Sequence, residues 1–360
     1  MVKTILLRID LNSSIKNRCV VENPRFKAHA QTIKEFKKKH AVVLLSHQGR
    51  KGGSDYLESL EQHCKLLNKH VKVKYVHSLF PDKIILGLKK GEVILLKNVR
   101  SLDYESKEQS ATQHSRTLLV KNLSSVCDTF VLDAFSVAHR SHASVVGFTK
   151  TLPSYASKLL KKELKSLSKL KNPKKPFTVV LGGAKLEEAL ILLKNLKADK
   201  FLLGGLVGEV GLAKAGLKLG KKDCLLKKEF VNGLKLSKKV FLPIDLVLEN
   251  KKVIGINELP VNKNPVDIGP ATIKMFSDLL KGSKTVLMKG PLGVFEKGFS
   301  KGTLSIMKSV SELNALTVLG GGHSTTVGGK GFSYVCTAGG ALIVYLSGKR
   351  LPGLVNLKNL

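Results

Sequence analysis

Ala41-Val42-Val43-Leu44-Leu45 runs directly into Ser46-His47-Gln48-Gly49-Arg50. The first five residues form a short β-branched and leucine-rich run that reads as a strand, and the next five put a histidine, a glycine and an arginine where that strand ends. The same unit recurs along the chain. In the first half the further strands are Thr4–Arg8, Val71–Val76, Val93–Leu96 and Thr129–Leu132. In the second half they are Thr178–Leu181, Lys200–Leu203, Lys239–Leu242, Thr285–Met288, Leu316–Leu319 and Tyr334–Thr337. Lys-rich helical stretches lie between them, which is the pattern of parallel sheets covered by helices, so the fold class is α/β. Between the halves, Tyr155–Leu170 carries leucines and serines at helical spacing and is followed by Asn172-Pro173-Lys174-Lys175-Pro176, a helix and its stop. The expected organisation is two lobes, each a parallel sheet flanked by helices: residues 1–153, a connecting hinge helix over 154–172, and residues 173–345.

In a parallel sheet the carboxyl ends of all strands lie along one edge, where α/β proteins bind ligands. The first-half ends carry Asp10 and Asn12, then His47 and Arg50, then Asn98-Val99-Arg100, then Asp133 through His139 and Arg140. One edge thus gathers His47, Arg50, Arg100, His139 and Arg140, a group suited to an anionic substrate. The second-half ends carry Gly182-Gly183-Ala184-Lys185, Gly204-Gly205, Gly290-Pro291-Leu292-Gly293, Gly320-Gly321-Gly322-His323 and Gly339-Gly340. A glycine-lined edge lets backbone approach a ligand closely and offers helix N-termini to phosphate. Neither a Walker A loop nor a G-x-G-x-x-G fingerprint is present; Gly211 and Gly216 have the P-loop spacing, but Leu217 stands where the lysine belongs.

The 360 residues carry 61 Lys and Arg against 27 Asp and Glu, a net charge of +34. Such a charge invites a nucleic-acid reading, but the lysines recur through nearly every helical stretch instead of forming a stripe, aromatics are 6% and tryptophan is absent. The arginines are more telling, because a chain that uses lysine by default keeps arginine for its planar fork. Only eight occur, and seven of them lie before residue 141. Five cysteines (19, 64, 127, 224 and 336) form no C-x-x-C pair, so buried free thiols in a reducing compartment are expected, and no zinc site is indicated. The N-terminal apolar run is too short for a signal peptide, no run approaches a membrane span, and a cytoplasmic protein is expected.

Taken in order, these motifs resemble phosphoglycerate kinase from about residue 4 to Gly353. Arg8-Ile9-Asp10-Leu11-Asn12 is similar to the family's R-x-D-x-N and Ser46-His47-Gln48-Gly49-Arg50 to its S-H-x-G-R. Asn23-Pro24-Arg25-Phe26-Lys27, Asp133-Ala134-Phe135, Ala138-His139-Arg140, Asp267-Ile268-Gly269-Pro270, Gly290 to Glu296 and the run after Leu319 keep the register. Gln48, the Gly-Gly-Gly-His form and the compact length resemble the archaeal branch. The resemblance implies phosphoryl exchange between 1,3-bisphosphoglycerate with ADP and 3-phosphoglycerate with ATP, with Mg²⁺ accompanying the nucleotide, in a bilobed monomer that closes about a hinge. It also implies that a tail, about 346–360, packs back on the first lobe. Carried over by motif, phosphoglycerate would meet Asp10, Asn12, Arg25, His47, Arg50, Arg100 and Arg140. The nucleotide would meet Gly183, Lys185, Gly205, Pro291, Glu296 and the stretch Gly322, His323 and Ser324. Arg25, Lys185 and Gly322 would act on the migrating phosphoryl group.

This chain departs from the family on the nucleotide side. Lys289 stands where asparagine is usual, Ala189 where many members have a second phosphate-binding lysine, Ala338 in place of a glycine, and His323 where many members offer an aspartate to the metal. Metal ligation is therefore left unassigned, and Lys289 either loosens discrimination between adenine and guanine nucleotides or merely turns outward. Two other readings remain, a catalytically degenerate metabolite-binding relative and a basic nucleic-acid-binding protein.

Overall fold

The apolar runs of the first half pair edge to edge. In the computed structural model, which describes residues 2–223, 226–321, 329–336 and 338–360, they form one six-stranded sheet. Its order is Lys74–Val76, Val93–Leu96, Ala41–Leu45, Thr4–Arg8, Thr129–Leu132 and Ser154–Ala156. Every neighbouring pair is parallel. All five residues of Ala41–Leu45 are fully buried, as expected of a central strand covered on both faces. The register is what matters for a site: Arg8 pairs with Leu45 on one side and Leu132 on the other, so three strands end side by side. The helix Pro24–Lys37 starts above that edge, with Asn23 accepting a bond from the Arg25 N–H at 3.0 Å and Pro24 in the first turn. Its buried face presents Phe26, Ala30 and Ile33 to Leu7, Ile9 and Leu44.

The second half repeats the design. Its parallel sheet runs Val240–Phe241, Lys200–Leu203, Phe177–Leu181, Thr285–Lys289, Leu316–Gly320 and Tyr334–Cys336. Leu181 pairs with Leu203 and Lys289, and Lys289 with Gly320, so four strands again end in a row. Val180, Leu202, Val286, Met288 and Leu319 meet Phe276, Leu280, Ile306 and Val310 of the covering helices in one core. The chain forms two compact units, residues 1–165 with 350–360 and residues 166–349. The division falls inside the helix Lys158–Ser168. The tail joins the first unit through Gly353, whose N–H donates to the Ala138 carbonyl at 2.9 Å, and Lys358, whose N–H donates to Ser154 at 2.8 Å.

Three expectations need correction. The stretch expected to be helical from 154 begins instead with the strand Ser154–Ala156, and the helix starts at Lys158. A three-residue edge strand following Pro153 is too short to show a period. The second unit also holds an antiparallel sheet that the pattern did not reveal, with Asp245–Leu248 between Val253–Gly255 and Pro265–Ile268. Its hairpin turns through Lys251 at φ 67°, so the usual glycine signal is missing. Cys19 is exposed, whereas Cys64 and Cys127 are buried and burial pushes their thiols up to about 11 and about 12. Cys224 and Thr337 lie outside the described residues.

Candidate functional site

The end of the first sheet is crowded with cations. Arg8 is 1% exposed, and its Nη2 lies 3.0 Å from His47 Nδ1. Arg100 is buried beside it, held by Asn98, whose Oδ1 accepts its N–H at 3.0 Å, and by a guanidinium bond to the Gly49 carbonyl. Gly49 sits at φ 65°, and a Cβ there would run into the Asp55 carbonyl, so glycine is required where this backbone turns under the arginine. Its N–H in turn donates to Asn12 Oδ1 at 2.8 Å. The charges act on one another. Burial lowers the Arg100 guanidinium to about 10, helped by Arg140, Arg8 and Arg50. Burial and then Arg50 lower Arg140, while burial, Arg8 and Arg100 hold His47 well below its usual value and hence neutral. Like charges gathered at a strand edge form an anion site, since an anion is what relieves them.

Two acids balance the opposite side. Asp10 is buried, and although burial works to raise its carboxyl, Arg25, His47 and a hydrogen bond from Ser136 bring it well below the usual range. Arg25 Nη1 lies 2.8 Å from Asp10 Oδ2 and donates to the Asn12 carbonyl at 3.0 Å. Behind them, Asp133 takes His29 Nδ1 at 2.6 Å and the Thr32 hydroxyl at 3.0 Å. The Asp10 N–H lies 3.2 Å from His29 Nε2.

The end of the second sheet lines a cavity of about 470 Å³. Gly182 donates to the Lys289 carbonyl at 2.8 Å, Gly183 to Pro291 at 2.6 Å and Gly205 to Leu292 at 3.0 Å, so successive loops are stitched to the stretch 289–294. Gly290, at φ 80°, has no room for a Cβ against the Gly182 carbonyl. Lys185, largely exposed, precedes the helix Leu186–Asn195; Glu296 is exposed in the turn Phe295–Lys297. Gly183, Lys185, Gly205, Pro291 and Glu296 all line this one cavity. Gly322, His323 and Ser324 lie outside the described residues. Among the described residues no group of three or more His, Cys, Asp or Glu side chains could hold a metal ion.

Lys289 turns to an acid. It is 9% exposed, and its Nζ donates to Glu188 Oε2 at 2.6 Å while Lys185 Nζ stands 3.6 Å from the other oxygen of the same carboxylate. Lys289 therefore belongs with Lys185 at the cationic end of the cavity. If the cavity takes the nucleotide that the sequence motifs imply, Lys289→Asn is expected to raise KM for MgATP about tenfold, the size of one charge-assisted hydrogen bond. It should leave the ATP-to-GTP ratio of kcat/KM unchanged; a changed ratio would return Lys289 to the base.

Sequence reasoning brought together Asp10, Asn12, Arg25, His47, Arg100 and Arg140, with Arg50 exposed nearby and close enough to act on Arg100 and Arg140. It passed over Ser136, which bonds Asp10, and the pair Glu209 and Lys222, which line the second cavity. Lys222 Nζ donates to Glu209 Oε1 at 2.7 Å, and burial pushes the Glu209 carboxyl up to about 7 against the pull of that lysine. The signal that could have found Glu209 was its position as a lone acid within Leu206-Val207-Gly208-Glu209-Val210-Gly211-Leu212.

The family model described as phosphoglycerate kinase matches residues 1–349. The phosphoglycerate kinase of Sulfolobus acidocaldarius is 37% identical over 386 residues, covering 99% of this chain and 93% of the relative. Phosphoglycerate kinase 2 of Methanosarcina acetivorans is 38% identical over 387 residues, covering 99% and 92%. The crystal structure of phosphoglycerate kinase from Pyrococcus horikoshii superposes with a TM-score of 0.90 at 34% identity, covering 99% of this chain and 96% of that one.

Proposed function

The chain belongs to the phosphoglycerate kinase family, an ATP-dependent phosphotransferase that exchanges a phosphoryl group between 1,3-bisphosphoglycerate with ADP and 3-phosphoglycerate with ATP, and from that premise we propose which residues carry the reaction here. Phosphoglycerate binds on residues 1–153: Arg50, Arg100, Arg140 and His47 anchor the phosphate that stays put, and Asp10 and Asn12 orient the carbon chain. Residues 173–345 bind the nucleotide. Lys185 holds its phosphates, Gly183 and Gly205, whose own N–H groups go to the Pro291 and Leu292 carbonyls, leave room for close approach, Pro291 packs on it, and Glu296 accepts from the ribose hydroxyls. The stretch 322–324 completes the phosphate contacts.

Direct transfer from an acyl phosphate needs no covalent enzyme intermediate, only position and charge stabilisation. Arg25 meets the migrating group from the glycerate side and Lys185 from the nucleotide side. Mg²⁺ arriving with the nucleotide would supply charge neutralisation; the lining of Lys185, Lys289 and Glu188 suits a metal brought in on phosphate better than one held in a protein cage. The protein acts as a monomer in the cytoplasm; no helix among the described residues is long and apolar enough to cross a membrane.

The observation that supports this reading best is the gathering of His47, Arg100 and Arg140 just past the ends of parallel strands that lie in one sheet, where Arg140 and Arg8 add to burial in lowering Arg100 and Arg50 adds to burial in lowering Arg140. A coupled assay with 3-phosphoglycerate and MgATP tests it. Turnover is expected. A folded preparation that binds both ligands without turnover would select the degenerate reading, and salt-sensitive RNA binding without ligand binding would select the nucleic-acid one. Within that assay Arg50→Ala should raise KM for 3-phosphoglycerate about tenfold or more with kcat nearly unchanged, because Arg50 grips ground and transition states alike. A fall confined to kcat would remove Arg50 from the anchoring set.

A further inference from the structure

Glu209 is an acid that neither the fold nor the phosphoryl chemistry uses. The other acids whose whole side chain is buried have both oxygens engaged. Asp267 takes the Ile268 N–H on one oxygen and the Gly302 N–H on the other, each at 2.9 Å. Asp245 takes Thr272 N–H at 2.7 Å and Ala271 N–H at 2.9 Å, and Glu105 takes the Ser144 hydroxyl at 2.6 Å and N–H at 2.8 Å. Glu209 is 5% exposed, and its Oε1 has Lys222, but its Oε2 is buried with no hydrogen-bond partner. A buried acceptor left unpaired is costly, so the oxygen is provided for by something the protein does not contain.

Its place in the cavity indicates what that is. The stretch 289–294 leads from the cationic group of Lys289, Glu188 and Lys185 to Val294, whose N–H donates to the Val266 carbonyl at 2.7 Å. Lys222 ties Glu209 to this far end, because its Nζ also donates to the carbonyl of Pro265, next to Val266, at 2.8 Å. Leu206, Val266 and Val294 line the cavity there. A slot that is cationic at one end and apolar at the other, with Glu209 in its lining and that residue's unpaired oxygen covered just beneath the surface, fits a nucleotide whose flat base presents N–H donors at its edge and draws the carboxylate out to meet them. We infer that Glu209 is the acceptor that selects the nucleotide base: Oε2 takes a hydrogen bond from a purine N–H, while Lys222 fixes Oε1 and so aims the carboxylate. The inference rests on the assignment of this cavity to the nucleotide and adds the residue that reads the base.

The test compares kcat/KM for ATP, GTP and purine riboside triphosphate, which has no N–H donor on the edge that adenine and guanine present. The native enzyme should favour the better of ATP and GTP over purine riboside triphosphate by about 10–100-fold, the range for a hydrogen bond to a charged acceptor. Whichever of the two is favoured identifies the donor as the adenine 6-amino group or the guanine N1–H and N2–H₂ pair. In Glu209→Gln, Lys222 keeps the amide oxygen and the amide N–H₂ faces the cavity, a donor where an acceptor stood. The preference should then shrink to about threefold or less. KM for 3-phosphoglycerate should not move, which a loosened fold would not spare. An undiminished preference in Glu209→Gln, or no preference in the native enzyme, overturns the inference. Calorimetric titration of ADP into Lys185→Ala separates the two levels: weaker ADP binding there with an unaltered base preference in Glu209→Gln removes only Glu209. Unaltered ADP binding removes the cavity assignment as well.

Discussion

Replacing Arg25 with alanine is expected to lower kcat by roughly 10²–10³, comparable to losing one preorganised electrostatic donor. The side chain is 19% exposed, and its guanidinium meets Asp10 and donates to the Asn12 carbonyl, both outside its own helix. The cap of that helix is supplied by the Asn23 side chain and the Arg25 backbone N–H, which alanine keeps. These contacts hold the guanidinium over the strand end where phosphoglycerate is proposed to bind. Arg25→Lys keeps the charge but loses the planar fork, so it should recover little of the rate. A purely structural role makes a different forecast. Asp10 owes part of its lowered proton affinity to Arg25. A carboxylate whose folded value is depressed adds stability above its unfolded value near pH ~4, and that stability is lost as pH falls through the folded value. Removing Arg25 raises the folded value, so acid unfolding should begin at a higher pH in Arg25→Ala. Were this shift to occur with kcat near native, Arg25 would be a support for Asp10 and nothing more.

What could be read from the chain, and what could not, divides along the range of the interactions. Runs such as Thr4–Arg8 and Ala41–Leu45 declare themselves because a buried parallel strand writes its environment into consecutive residues. The residues just past each run then inherit their place at the ligand edge from the sheet, which is why Arg100 and Arg140 could be grouped with His47 before any contact was known. Side-chain partnerships carry no such local mark. Lys289 and Glu188 are 101 residues apart, and nothing near either indicates that the lysine turns to that acid. The Asp245–Leu248 strand escaped for a related reason: its partners Val253–Gly255 and Pro265–Ile268 are short and joined by lysine- and asparagine-rich turns without glycine at the tip. Glu209 is intermediate, since an acid inside an apolar helical run is visible in the sequence, while its unpaired oxygen is visible only in three dimensions.

The largest loss of stability is expected from Arg8→Met, about 3–5 kcal/mol, the usual cost of breaking a buried charge network by removing one member. Arg8 is the bulkiest of the fully buried side chains, and its Nε donates at 2.9 Å to the Ser144 hydroxyl, which itself donates to Glu105 Oε1 at 2.6 Å. The hydroxyl therefore relays a guanidinium 136 residues away in sequence to a carboxylate with no solvent exposure. Burial raises the Glu105 carboxyl, and Arg8 is the strongest influence holding it down. Without Arg8 its folded value rises further above the unfolded one, so the folded state binds the proton more tightly than the unfolded state does. Stability in the variant should then fall as pH rises, and the deficit against the native protein should be larger at pH 8 than at pH 5. Neutralising the stranded partner removes that part of the cost: Arg8→Met with Glu105→Gln should be more stable than the sum of the single variants by about 1–3 kcal/mol. Urea titrations of the four proteins at both pH values measure this. Additive losses that do not change with pH would mean that Arg8 contributes by filling space, and that the charge network does not hold the substrate edge in place.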